Sequence, residues 1–162
     1  MAETRRVLSF LAVVVAAGGL AACAGDFWDM NPPTEIALDP ALADDLFIEA
    51  VEVRSAFYNP PDAFSDAFIP AFLDGADCFG GRQPVRAIVF IHELDRHGDL
   101  IGEDGRIRLP GSVDLHDARG RVIGRYPIRA DLPATGDDLT ERRMAAAEVF
   151  GERLCERVKG AR

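Results

Sequence analysis

The sequence lacks an apolar run long enough to span a bilayer. Its longest, Val7 to Leu20, falls short of the about 20 residues that cross about 30 Å of hydrocarbon. Metal-binding spacings are missing as well. Neither CxxC, a Cys–His pair nor HExxH occurs, and the turn GEDG at 102–105 is too short for a calcium loop of about 12 residues. The glycines form no phosphate-binding loop, and Ser55, Ser65 and Ser112 lie in no Gly-x-Ser-x-Gly elbow. Nucleophilic catalysis needs a nucleophile beside an oriented base, so the chain reads as a non-enzyme with no cofactor and no metal. Positive charge is scarce: 18 Lys and Arg against 27 Asp and Glu leave a net charge of −9. Nucleic acid, held through basic patches, is thereby excluded as a partner. No internal repeat or low-complexity segment is present.

What the chain does have begins at its start. Arg5 and Arg6 precede the apolar run, Gly18-Gly19 weakens its end, and Leu20-Ala21-Ala22-Cys23 closes it. Basic, apolar and small-residue segments in that order make a cleaved secretory segment. The first 23 residues resemble the signal of the diacylglyceryl-modified bacterial lipoproteins, in which the cysteine thiol is lipidated and the chain is cut before it. The resemblance implies that Cys23 is the mature N-terminus and bears two or three acyl chains; stable anchoring takes about two. It implies a cell-envelope protein held to a membrane by those chains and facing the periplasm. Ala24, where an acidic residue would otherwise stand, resembles lipoproteins exported to the outer membrane.

Loss of residues 1–22 leaves enough chain for one domain with a sizeable core, and it makes the net charge one unit more negative. Cys78 and Cys155 remain, and the periplasm oxidises paired thiols. Both sit in segments that read as helical. If the two helices cover one sheet face, a Cys78–Cys155 disulfide is within reach, contributing on the order of 4 kcal/mol. Two free buried thiols are the alternative.

Residues 23–45 mix Pro, Asp and Ala with little period and read as a lipidated tether. Phe27 and Trp28 suit either the membrane interface or the domain's core. Residues 46–55 read as a strand. After Asn59-Pro60-Pro61-Asp62 a helix is expected, with Phe64, Phe68, Phe72 and Phe79 near helical spacing. Pro70 should kink or split it, and Gly80-Gly81 ends it. That phenylalanine stripe is either a core-facing surface or the wall of an apolar groove. Residues 84–94 form the strongest strand, with Val85, Ala87, Val89 and Ile91 on one face and Ile88 and Phe90 on the other. Residues 106–116 and 121–132 read as a hairpin around Asp117-Ala118-Arg119-Gly120, with Pro110 and Pro127 implying bulges or an exposed edge. A final helix from about 139 to 159 places Met144, Ala147, Phe150, Leu154 and Val158 on its sheet-facing side.

The order is β-α-β-β-β-α, an α+β fold with a mixed, mainly antiparallel sheet and two helices on one face. The expected organisation is a signal peptide at 1–22, a lipidated flexible tether at 23–45 and one domain at 46–162. The region from Pro84 to Val158 is similar to a group of small alphaproteobacterial lipoproteins known only as a domain of unknown function. Pro84-Val85-Arg86, Asp117-Ala118-Arg119-Gly120 and Arg129-Ala130-Asp131-Leu132-Pro133-Ala134 carry the likeness. It implies an envelope lipoprotein and supplies no activity. More remotely, the element order resembles auxiliary lipoproteins of envelope lipid-transport ABC systems.

One polar cluster stands out: His92, Glu93, Asp95, His97 and Asp99. Alternate strand residues share a face, but Gly98 and the surrounding charges favour a solvated strand end over a metal site. His116 beside Asp117 reads as exposed at a turn. Two functions follow as expectations. The first is a non-catalytic envelope lipoprotein that presents a surface to an envelope protein partner. The alternative is an auxiliary lipoprotein of a lipid-transport system, with Phe64, Phe68, Phe72 and Phe79 lining an apolar groove.

Overall fold

A short α1 (Pro40–Ala43), capped by the Asp39 side chain on the Ala41 amide, precedes the first strand. Four strands and two longer helices follow: β1 (Leu46–Ser55), α2 (Asp62–Gly75), β2 (Gln83–Ile91), β3 (Arg106–His116), β4 (Val122–Pro133) and α3 (Leu139–Gly160). The computed structural model describes residues 33–55, 60–92, 104–135 and 138–160. The strands lie in the order β1-β2-β3-β4. β1 and β2 are parallel, with Leu46 opposite Gln83 and Ser55 opposite Ile91; the other two pairings are antiparallel. The α+β fold read from the sequence is therefore the fold found, with α1 added.

Alternation explains the sheet. Val85, Ala87, Val89 and Ile91 of β2 point to one side with Ile107, Leu109, Val113 and Leu115 of β3 and Tyr126, Ile128 and Ala130 of β4, and all are buried. β1 adds Leu46 fully but Ile48, Val51 and Val53 only in part. Both prolines in the hairpin sit where their missing amide costs nothing. The Pro110 carbonyl accepts from His92 beyond the end of the β2–β3 ladder. Pro127 lies two residues from Arg125, whose backbone groups point to the outer side of β4. Of the bulges or exposed edge expected of them, Pro127 has the edge, on β4; the register shift in the hairpin falls between Leu115 and His116.

The two helices cover this apolar side. α2 runs unbroken through Pro70, a correction to the expected split: Pro70 is exposed, so the carbonyl it leaves free faces water. α2 stops at Gly75, before the Gly80-Gly81 pair. On α3 the buried positions are Arg143, Ala146, Ala147, Phe150, Gly151, Leu154, Cys155 and Val158. Met144, expected inside, is 45% exposed. Arg143 takes the inward position, its guanidinium 5.6 Å from the centroid of the Phe64 ring. The helices touch backbone to backbone. A Cβ on Gly75 would lie 2.1 Å from the Glu148 carbonyl oxygen, and one on Gly151 would lie 2.4 Å from that of Phe72.

The segment expected to be a free tether is in part docked. Ile36 exchanges two backbone hydrogen bonds with Arg125, at 2.9 and 2.8 Å. Leu38 is buried and donates its amide to the Tyr126 hydroxyl at 2.8 Å. Glu35 pairs with Arg157 on α3. Ile36 to Asp45 thus belongs to the domain, because Leu38 and Ala43 find core partners that local sequence does not announce. Cys23, Phe27 and Trp28 lie outside the described residues.

Candidate functional site

The side of the sheet opposite the helices carries no layer of its own among the described residues. Cross-strand register sets out its side chains in rows: Glu52, Ile88, Asp114 and Arg125 form one, and Arg54, Phe90, Ser112 and Pro127 the next. Polar and charged residues alternate here with the buried apolar ones, the pattern of an antiparallel sheet with one side open. Arg54, Arg86, Arg106, Arg108, Arg125 and Arg129 all project from this side, a concentration of arginine in a chain of net charge −9, four of them paired with carboxylates.

At its centre Asp114 is 3% exposed and accepts two hydrogen bonds from Arg125, at 2.7 and 2.5 Å. Such a two-pronged pair is strong and geometrically specific. It anchors the middle of the face between β3 and β4. Toward the rim the pairs are exposed: Arg54 with Glu52 at 2.7 Å, Arg106 with Asp131 at 2.7 Å, and Arg108 with Asp104 at 2.5 Å. Exposed pairs each contribute little to stability, about 0–1 kcal/mol. Arg54 also lies 5.8 Å from the centroid of the Phe90 ring. The Arg54 hydrogen bond, with smaller help from Arg86 and His116, holds the Glu52 carboxyl below its ordinary range.

Arg86 and His116 are directly opposed on β2 and β3. With Glu49, Pro84 and Asp117 they border a shallow depression of about 230 Å³ at one end of the face. Asp117 is engaged in the hairpin turn, accepting from the Arg119 and Arg121 amides at 2.9 Å each. Those backbone bonds, chiefly that from Arg121, hold its carboxyl low. Gly120 takes the positive φ of 76° that the expected turn requires.

The sequence-predicted residues scatter. Cys78 and Cys155 are joined in a disulfide, with Cα atoms 5.8 Å apart and a sequence separation of 77; Cys155 is on α3 as expected, but Cys78 lies in the turn after α2, which ends at Gly75. Phe64, Phe68 and Phe72 are fully buried and Phe79 nearly so. Phe64 and Phe68 stack at 5.4 Å and Phe68 meets Phe150 edge-on at 6.0 Å. These rings line no groove; they are the core under the helices, and the lipid-handling reading loses its motive. Of the polar cluster, His92 follows β2 and burial pushes its pKa down; Glu93, Asp95, His97 and Asp99 lie outside the described residues. Among the described residues no group of three or more His, Cys, Asp or Glu is placed to hold a metal ion. Within that same set, no helix is long and apolar enough to cross a membrane. Ser112 is buried opposite Pro127 and Ser65 lies on α2.

The Asp114–Arg125 pair and the Tyr126–Leu38 contact were not singled out from sequence. The first had a signal: alternation along 106–116 and 122–133 puts both residues on the same side. The second had none, since 88 positions separate its partners.

No family model matches the chain, and no curated protein matches it. Several solved structures are similar. The PelC dodecamer from Paraburkholderia phytofirmans aligns with a TM-score of 0.44 at 12% identity, over 74% of this chain and 94% of that one. A Xanthomonas campestris protein of family DUF330 aligns with a TM-score of 0.37 at 13% identity, over 78% and 87%. A provisionally assigned lipoprotein from Caulobacter crescentus CB15 aligns with a TM-score of 0.36 at 9% identity, over 67% and 83%. Likenesses this distant say nothing of what the present chain binds.

Proposed function

We propose that this protein is a lipid-anchored envelope protein that works by binding, with Cys23 acylated, the domain facing the periplasm and the outer membrane as its site. Its binding surface is the open side of the sheet, and its partner is another envelope protein. One observation carries the reading: one side of the sheet is sealed by helices, while the other carries the half-exposed Phe90 and a set of arginines ordered around the buried Asp114–Arg125 pair. Arg86 and His116 at the rim favour a partner that presents carboxylates there.

A photo-reactive residue placed at Arg86, exposed on this side, in the lipidated chain, with Leu73 on the helix layer as control, tests the surface. The expected result is a partner captured from position 86 and absent from 73. No capture at either position, or equal capture at both, overturns the binding reading. The anchor is tested separately: Cys23→Ser should abolish fatty-acid labelling and release the protein from the membrane fraction.

A further inference from the structure

The outer edge of β1 is built differently from an ordinary protected edge. Among the described residues β1 pairs with β2 and, at its start, bridges Gly80 through Phe47; from Ala50 to Ser55 its outward N–H and C=O groups meet no strand. An unguarded row of such groups is a template for another strand, and natural edges are usually blunted by proline, lysine or a bulge. Here the bulge is confined to the start, between Ile48 and Ala50, and Ala50–Ser55 contains no proline, glycine or lysine. The helix layer also stops short of this edge: Ile48, Val51 and Val53, facing the helices, are only half-buried. The edge therefore offers free backbone groups with an apolar margin beneath them.

Charge decides what fits. On the open side β1 carries Glu52 and Arg54 at alternate positions, both about half exposed. We propose that β1 docks on β1 of a second copy of this chain, antiparallel and centred on Val53. That register sets Glu52 of each copy opposite Arg54 of the other, so each cation and each carboxylate exchanges an intrachain partner for a cross-strand one. Opposite charges across an antiparallel pair stabilise it, and like charges directly opposed do the reverse. Centring on Glu52 or on Arg54 instead would oppose identical charges. On the helix side Val53 meets its own counterpart and the two apolar margins merge. The result is one continuous eight-stranded sheet. This pairing does not depend on acylation of Cys23 or on a foreign partner for the open face.

The full-length protein, extracted in mild detergent, provides the test. Val53→Cys should yield a disulfide-linked dimer on a non-reducing gel, while Glu49→Cys, exposed and on the far side of the bulge, should not. By sedimentation, Glu52→Arg should weaken self-association roughly tenfold, since symmetry opposes like charges twice. The double exchange Glu52→Arg with Arg54→Glu should restore it. A wild-type chain that stays monomeric at about 100 µM, an introduced thiol at position 53 that links only to some other protein, equal linkage at 49 and 53, or no rescue by the double exchange would each overturn the proposal.

Discussion

The two edges of the sheet are finished in opposite ways. On β4 the chain's own N-terminal segment guards the edge around Arg125: Ile36 bonds to Arg125, Leu38 sinks into the core under Tyr126, and Glu35 reaches Arg157. Pro127 adds a position with no amide to offer outward. On β1 the bulge and a bridge from Phe47 to Gly80 guard only the start, and Ala50 to Ser55 carries no such device. Both strands alternate apolar and polar residues, so local sequence does not distinguish them; the difference lies in what distant parts of the chain bring to each edge. An edge guarded at its middle by a docked segment and an edge guarded only at its start leave different lengths of backbone available to a further strand.

The sharpest way to break this contrast is Leu38→Ala. Loss of a buried leucine side chain costs about 2–4 kcal/mol, measured by urea unfolding. The segment should then release, and hydrogen exchange at the Arg125 amide should quicken while the β1 amides are unaffected. Unaltered exchange at Arg125 would mean that Ile36 does not guard β4.

Tyr126→Phe keeps the ring but leaves the Leu38 amide without its acceptor, a loss of about 1–3 kcal/mol. It also supplies a pH signature. Burial holds the Tyr126 phenol above its ordinary range, partly opposed by the Leu38 hydrogen bond. The folded pKa lies above the unfolded one, so this contribution is complete below about pH 10 and is lost as pH rises through the folded value. The wild type should therefore lose stability at alkaline pH more steeply than Tyr126→Phe; parallel curves would count against the contact.

At the other edge, Glu52→Arg should change self-association while altering monomer stability by less than about 1 kcal/mol, because the Glu52–Arg54 pair is exposed. The smallest effect is expected from Arg157→Ala. Its pair with Glu35 is half exposed, so thermal unfolding should move by no more than about 0.5 kcal/mol.

Period and turn chemistry made most of the fold legible. The alternation of Val85 to Ile91, the Asp117–Gly120 turn and the helical spacing of Ala147, Phe150, Leu154 and Val158 are local signals, and each element stands where they put it. What local signals missed depends on partners far along the chain. Met144 lost its inward place to Arg143 because Phe64, on another helix, receives the guanidinium. Residues 36–45 read as a tether because nothing near them reveals Tyr126. The candidate surface was half legible. Its rows follow from alternation, but the open side had to be told from the covered one by where the helices pack. The phenylalanine spacing suited both a core and a groove, and only the enclosing α3, through Phe150, decides between them.

The docking of Ile36 on β4 has a geometric corollary. It fixes the margin from which the chain departs toward its N-terminus, and that margin lies farthest from β1. Two copies joined through β1 would therefore have their N-terminal segments depart at opposite ends of the joint sheet, roughly 34 Å apart at about 4.8 Å per strand. With Cys23 acylated as proposed, such a pair would be held at two widely set points, where a single copy could pivot about one.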